Sequence, residues 1–163
     1  MEKGVAHTPF GALEVEWSGS AISRASFHSG ADMRPGGDSA VADARAAGAV
    51  GVFLGGGRAE VAPPGTDFQK RVWAAVCLIP FGATATYAEI AAAVGVPRGA
   101  RAVARAVACN PAALFIPCHR VVPARGGTGG YRWGRQRKAA ILSHEAREAK
   151  GEGRFFGNFA ATN

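Results

Sequence analysis

Residues 66–111 read TDFQKRVWAAVCLIPFGATATYAEIAAAVGVPRGARAVARAVACNP. Thr66 and Gln69 stand three apart, a capping-box pattern, and Phe68, Val72 and Val76 follow at helical spacing, so a helix should run until Pro80-Phe81-Gly82. Thr86 and Glu89 repeat the capping box and open a second helix from Tyr87 to Val94, with Gly95 as its stop. Pro97 then starts a third, which must end before Pro111. A short helix, a turn at Gly95 and a second helix make a helix-turn-helix, although a generic helical hairpin would give the same pattern. On that third helix Arg98, Arg101 and Arg105 fall within an arc of about 60°, with Val103 and Val107 on the opposite side. One face packs while three guanidiniums point outward, the arrangement of a recognition helix whose partner is nucleic acid.

The charge around this segment is lopsided. Residues 1–66 carry 5 basic and 7 acidic side chains, and residues 67–163 carry 14 and 5. From Arg98 to Lys138 there are nine basic residues, among them Arg120, and no acid; eight of the nine are Arg, which suits phosphate. A high-Arg surface without a partner is the bland alternative.

Beyond Pro111 comes Phe115-Ile116-Pro117-Cys118-His119-Arg120-Val121-Val122, a polar triplet between apolar flanks. A free Cys in such a setting is usually inert packing, but His119 supplies a base with an ordinary pKa near 6.5. Neighbours on an extended chain point to opposite faces, so proton passage from Cys118 to His119 needs a water or a sharp turn. A helix predicted over 136–150 carries Ile141 and Leu142 inward and puts Glu145 on the same face, where a carboxylate needs a partner; Glu148 is the rival candidate. The intervening Gly126–Gly134 stretch, with Tyr131, Arg132 and Trp133, offers a flexible loop with flat surfaces for a planar base. A thiolate beside a held-out base points to covalent capture of a group on that base.

The remainder is quieter. Leu13, Val15, Trp17, Ile22, Ala25 and Phe27 around Ser18-Gly19-Ser20 predict a hairpin, an Ala-rich helix is expected over 38–50 after a Pro/Gly loop at 33–39, and Val61–Gly65 reads as a linker. The chain of 163 residues is 48% apolar and 19% charged, enough for a core and too little charge for a disordered tail protein. The stretch 46–54 is broken by glycines and far short of the roughly 20 residues that cross a bilayer, and Met1-Glu2-Lys3 opens onto no signal-peptide core. Cys77, Cys109 and Cys118 form no CxxC pair, so neither a disulfide framework nor a metal site is expected; Cys77 and Cys109 read as packing residues, and the compartment as the reducing cytoplasm. The Phe155-Phe156…Phe159 tail has no reading beyond docking or disorder.

Taken in order, Thr66-x-Phe68-Gln69, Val72-Trp73, Ile79-Pro80-x-Gly82, Thr86-Tyr87-x-Glu89-Ile90-Ala91, Gly95, Arg101-Ala102-Val103, Asn110-Pro111, Ile116-Pro117-Cys118-His119-Arg120-Val121, Gly130-Tyr131, Arg137-Lys138 and Glu145 resemble the O6-alkylguanine-DNA alkyltransferases. The resemblance covers about 80 residues, and its Pro-Cys-His-Arg-Val core is highly specific; residues 1–65 match only loosely. It implies an α+β fold: a small N-terminal α/β scaffold over residues 1–65 and a mostly helical C-terminal domain over 66–163 carrying the helix-turn-helix.

It also implies a mechanism. Cys118 would take the alkyl group from O6 of guanine in one irreversible transfer, with His119 removing the thiol proton through a water and Glu145 orienting His119. Arg101 would enter the duplex in place of the flipped nucleotide, with Arg98, Arg105 and Arg120 as further DNA contacts. Tyr87, Tyr131, Lys138, Asn110 and Val121 would make up the base pocket, Asn110 holding the turn toward Cys118. The partner would be double-stranded DNA containing O6-alkylguanine, docked through its minor groove, and the protein a cytoplasmic monomer with no cofactor, no metal and no membrane attachment, associated with the nucleoid when bound. Arg132 and Trp133 stand where some family members have small residues, so a narrow pocket favouring methyl is expected. Two other classes remain: a non-enzymatic flag for alkylated DNA, which would lack the acceptor Cys, and a helix-turn-helix regulator whose Cys118 is structural.

Overall fold

The computed structural model describes residues 1–28 and 38–149; most of the loop expected over 33–39 and the Phe155–Phe159 tail lie outside them. The fold is α+β, in two compact units: residues 1–64 with 111–115, and residues 65–110 with 116 onward. The division falls one residue from the boundary expected at 65, but Pro111–Phe115, assigned by sequence to the second domain, is part of the first unit.

In the first unit, β1 (Glu2–Thr8), β2 (Gly11–Ser18) and β3 (Ala21–Phe27) form an antiparallel sheet in the order β1-β2-β3, covered by α1 (Ala40–Leu54). Leu13, Val15 and Trp17 alternate into the core, as the period of two dictates, and pair with the buried Phe27, Ala25 and Ile22; a register shift between Glu16 and Trp17 accommodates the three-residue step from Ile22 to Ala25. The β2–β3 turn sits at Gly19, whose φ of 64° few other residues adopt without strain. Strand β1 was not legible, because Gly4 and His7 interrupt its pattern; yet Gly4 is what lets α1 approach, since a Cβ there would run into the Ala42 carbonyl. The helix also runs four residues past the predicted 50, to its C-cap at Gly55. Pro111–Phe115 lies along β3, with Ala25 N–H donating to Pro111 O (2.9 Å) and Ala113 N–H to Ala25 O (2.9 Å), and Phe115 meets Phe53 edge-on.

The second unit holds α2 (Asp67–Cys77), β4 (Ala85–Thr86), α3 (Tyr87–Ala93), α4 (Ala100–Ala108), a 3-10 turn (Cys118–Arg120), β5 (Val121–Val122) and α5 (Arg135–Glu148). Both capping boxes form in full: Thr66 accepts from Gln69 N–H and Thr86 from Glu89 N–H, and each Gln or Glu side chain returns to the cap's own backbone N–H. Helix α4 buries Val103, Ala106 and Val107 and packs against α2 and α3. Near its C-terminal end the Ala106 carbonyl accepts from Trp73 Nε1 at 2.8 Å as well as from Cys109 N–H at 3.2 Å. The start of α4 differs from expectation: Pro97 and Arg98 occupy the turn and Gly99 is the N-cap, so Arg98 is off the helix and only Arg101 and Arg105 share its outer face. Parallel pairing of Ala85 with Val121 and Thr86 with Val122 ties the start of α3 to the end of the 3-10 turn.

Candidate active site

That two-residue ladder is what assembles the site. Tyr87 follows β4 directly and the Cys118–Arg120 turn precedes β5 directly, so pairing β4 with β5 draws the two together. The turn supplies the sharp bend that an extended Cys-His pair would have lacked, closed by Arg120 N–H donating to Pro117 O at 2.9 Å. Cys118 is 3% exposed, His119 and Lys138 are fully buried, and Glu145 is 1% exposed. Glu148, the rival carboxylate, is exposed.

His119 and Glu145 meet as expected, Nε2 to Oε1 at 2.7 Å. Arg120 does not stand where it was expected. It is 5% exposed, its Nε and Nη2 donate to Glu145 Oε2 and Oε1 at 2.9 Å each, and its Nη1 donates to Ile79 O at 2.8 Å. A side chain so enclosed cannot reach a DNA phosphate, and the expectation of a DNA contact at Arg120 is corrected accordingly. The signal was present: a cation inside an apolar segment needs a buried anion, and Glu145 had been read as a carboxylate needing a partner.

Electrostatics follow from this burial. Burial alone would raise the Glu145 carboxyl, but His119 and the Arg120 guanidinium bring it down to about 2. Burial lowers His119 below its usual value despite Glu145 pulling upward, with Arg120 and Lys138 adding to the decrease. The two shifts pull against each other, since a neutral imidazole attracts a carboxylate weakly. Arg120, bound at two points, sets a full positive charge against Glu145 whatever the state of His119, while burial favours the neutral imidazole. Burial pushes the Cys118 thiol well above its usual value, opposed by a hydrogen bond from the Asn110 side chain and the charge of Lys138. Burial lowers Lys138 to about 8; its Nζ donates to Val121 O (2.7 Å) and Gly130 O (3.2 Å).

Cys118 opens onto a cavity of about 240 Å³ walled by Tyr87, by Ala104, Val107 and Ala108 of α4, and by Gly130–Trp133. Of the expected pocket residues, Tyr87 and Tyr131 line it, whereas Asn110, Val121 and Lys138 are buried and do not. Asn110 instead braces the approach to the turn, Nδ2 donating to Ile116 O at 3.0 Å, and Arg132 Nη1 donates to Asn110 O at 3.0 Å. Trp133 packs edge-on to Tyr131 and under the Arg132 guanidinium, each at 5.3 Å. Arg98, Arg101 and Arg105 are exposed. So is Cys109, which caps α4 rather than packing, while Cys77 is partly covered.

A buried cysteine next to a His119–Glu145–Arg120 cluster, lining an aromatic-walled cavity in the same unit as a helix-turn-helix, is an arrangement suited to nucleophilic chemistry on sulfur. A family profile described as the DNA-binding domain of 6-O-methylguanine DNA methyltransferase matches residues 67–147. The crystal structure of Mycobacterium tuberculosis O6-methylguanine methyltransferase is similar over 92% of this chain and 96% of that one, at 33% identity and a TM-score of 0.75. A second structure, of M. tuberculosis OGT in complex with DNA, gives 34% identity and a TM-score of 0.76 over 88% and 92% of the two chains. The chain belongs to the O6-methylguanine-DNA methyltransferase family. Among curated relatives, the methylated-DNA–protein-cysteine methyltransferase of Methanosarcina barkeri is 51% identical over 86 residues, which are 53% of this chain and 54% of that protein. The match thus spans about half the length of such relatives, and only 24% of a longer regulatory one. No helix among the described residues is long and apolar enough to cross a membrane.

Proposed function

We propose that the chain repairs alkylated DNA, moving the O6-alkyl group, chiefly methyl, from guanine in duplex DNA to Sγ of Cys118, once per molecule. The observation that carries this reading is the placement of Cys118: it lines a cavity with aromatic walls, and the next residue, His119, meets the buried Glu145 at 2.7 Å. The exposed Arg98, Arg101 and Arg105 attract the duplex, and Arg101 fills the space of the extruded nucleotide, offsetting the few kcal/mol that unstacking costs. Tyr87 and Tyr131 hold the guanine.

Because Nε2 of His119 is committed to Glu145, proton transfer from the thiol runs through Nδ1, by way of a water. Sulfur then attacks the alkyl carbon, the carbon–O6 bond breaks with its electron pair passing to guanine, and a thioether forms. Guanine takes up one proton as the thiol gives one up, so charge and atoms balance without a cofactor. A thioether offers no route back, which makes the reaction stoichiometric. Burial keeps the thiol neutral at rest, and the Asn110 hydrogen bond and Lys138 charge favour the thiolate as it develops.

Counting guanines restored in an O6-methylguanine duplex against protein added tests the proposal. A plateau at one per protein is expected. Restoration continuing past that plateau, or none despite damage-selective binding, would overturn it.

A further inference from the structure

We propose that Arg120 is a positioning residue of the acceptor site: its guanidinium grips Glu145 at two points and so fixes which ring nitrogen of His119 serves Cys118. This rests on the function proposed above. Every nitrogen of the guanidinium is engaged, two on the carboxylate and one on the Ile79 carbonyl just beyond α2, and the group also lies 5.6 Å from the Phe81 ring centre. Glu145 Oε1 is shared, accepting from Arg120 Nη2 and facing His119 Nε2. The carboxylate therefore cannot turn with the imidazole unless it breaks a contact with Arg120, and the ring is held with Nε2 on the acid and Nδ1 for the thiol side. A Lys at this position would keep the charge and lose the fork.

A surface cation would have no such leverage, and the exposed Arg98, Arg101 and Arg105 make no ion pair with an acid among the described residues. The charged and titratable groups around His119 are Glu145 and Lys138 from α5 and Cys118 and Arg120 from the turn. Burial does most to disfavour an imidazolium, and Arg120 and Lys138 add to it, so removing Arg120 takes away one of the two cations that oppose protonation of His119.

The test is nitrogen NMR of His119 in the full chain, paired with single-turnover transfer across pH for wild type, Arg120→Gln and Arg120→Lys. Wild-type His119 should be neutral at pH 7 with its proton on Nε2. Arg120→Gln should raise the pH at which His119 titrates, move the acidic limb of the transfer rate upward with it, and slow transfer at pH 7 about tenfold or more. Arg120→Lys should leave that limb near its wild-type position while recovering only part of the rate. A proton on Nδ1 in wild type, or a Gln variant that slows transfer without moving the limb, would overturn the proposal. If the variants fail to fold, the wild-type tautomer decides. The NMR needs no alkylated DNA, so a chain that transfers nothing yet shows the predicted His119 state would refute the function and leave the positioning standing.

Discussion

Replacing Glu145 with Gln is the sharpest perturbation the site offers, because it removes one charge and almost no volume. Glu145 meets three donors, from His119 at 2.7 Å and from Arg120 Nε and Nη2 at 2.9 Å. The amide keeps one acceptor oxygen but turns an NH2 toward a donor, leaving the buried Arg120 charge uncompensated. Breaking a buried ion pair on one side costs about 3–5 kcal/mol. The titration agrees in direction, since the Glu145 carboxyl lies below its ordinary 4.5 in the folded protein and its ionisation therefore favours the fold at neutral pH. For a chain of this length a 3 kcal/mol loss lowers Tm by about 6–12 °C. The sign with pH is fixed: the folded value lies below the unfolded one, so the stabilisation is complete above about pH 4.5 and disappears as pH falls toward 2. Denaturant unfolding of both proteins from pH 7 down to 2.5 should show a gap that is widest at neutral pH and narrows in acid. A gap under about 1 kcal/mol at pH 7, or one that does not change with pH, would refute the reasoning.

Arg98→Ala and Arg105→Ala should each weaken binding to undamaged duplex and reduce the slope of log affinity against log salt by about 0.9, whereas Arg101→Ala should slow transfer more than it weakens binding; salt titrations and single-turnover rates separate the two. Arg132 and Trp133 line the cavity, so replacing both with small residues should raise the benzyl-to-methyl rate ratio about tenfold or more, and a wild-type protein that already takes both at equal rates would contradict the narrow-pocket reading. Thr66→Ala and Thr86→Ala should each cost about 1 kcal/mol in unfolding experiments, because both hydroxyls cap a helix whose reciprocal Gln or Glu contact is also formed.

Where pattern and chemistry coincided, the sequence was a sufficient guide. Thr66/Gln69 and Thr86/Glu89 mark helix starts because the capping box is local, needing only residues three apart. Glu145 was traceable because helical spacing put it on the face of Ile141, and both are buried. What escaped depends on contacts distant in sequence. The β4–β5 ladder joins residues about 36 apart through two pairs, too short for any alternation to register. Arg120 looked like one more cation in a basic run, and only its bond to Ile79, 41 residues away, and its grip on Glu145, 25 away, reveal a buried role. Arg98 was displaced for a subtler reason: Pro97 can open a helix, but here the chain spends it on a turn capped by Gly99.

The central claim concerns one sulfur atom, and the intact mass of the protein after incubation with duplex DNA carrying a single O6-methylguanine tests it most directly. The account predicts a gain of one methylene per chain, saturating at one, found on the Cys118 peptide and absent in Cys118→Ser. No gain, or a gain residing on Cys77 or Cys109, would contradict it.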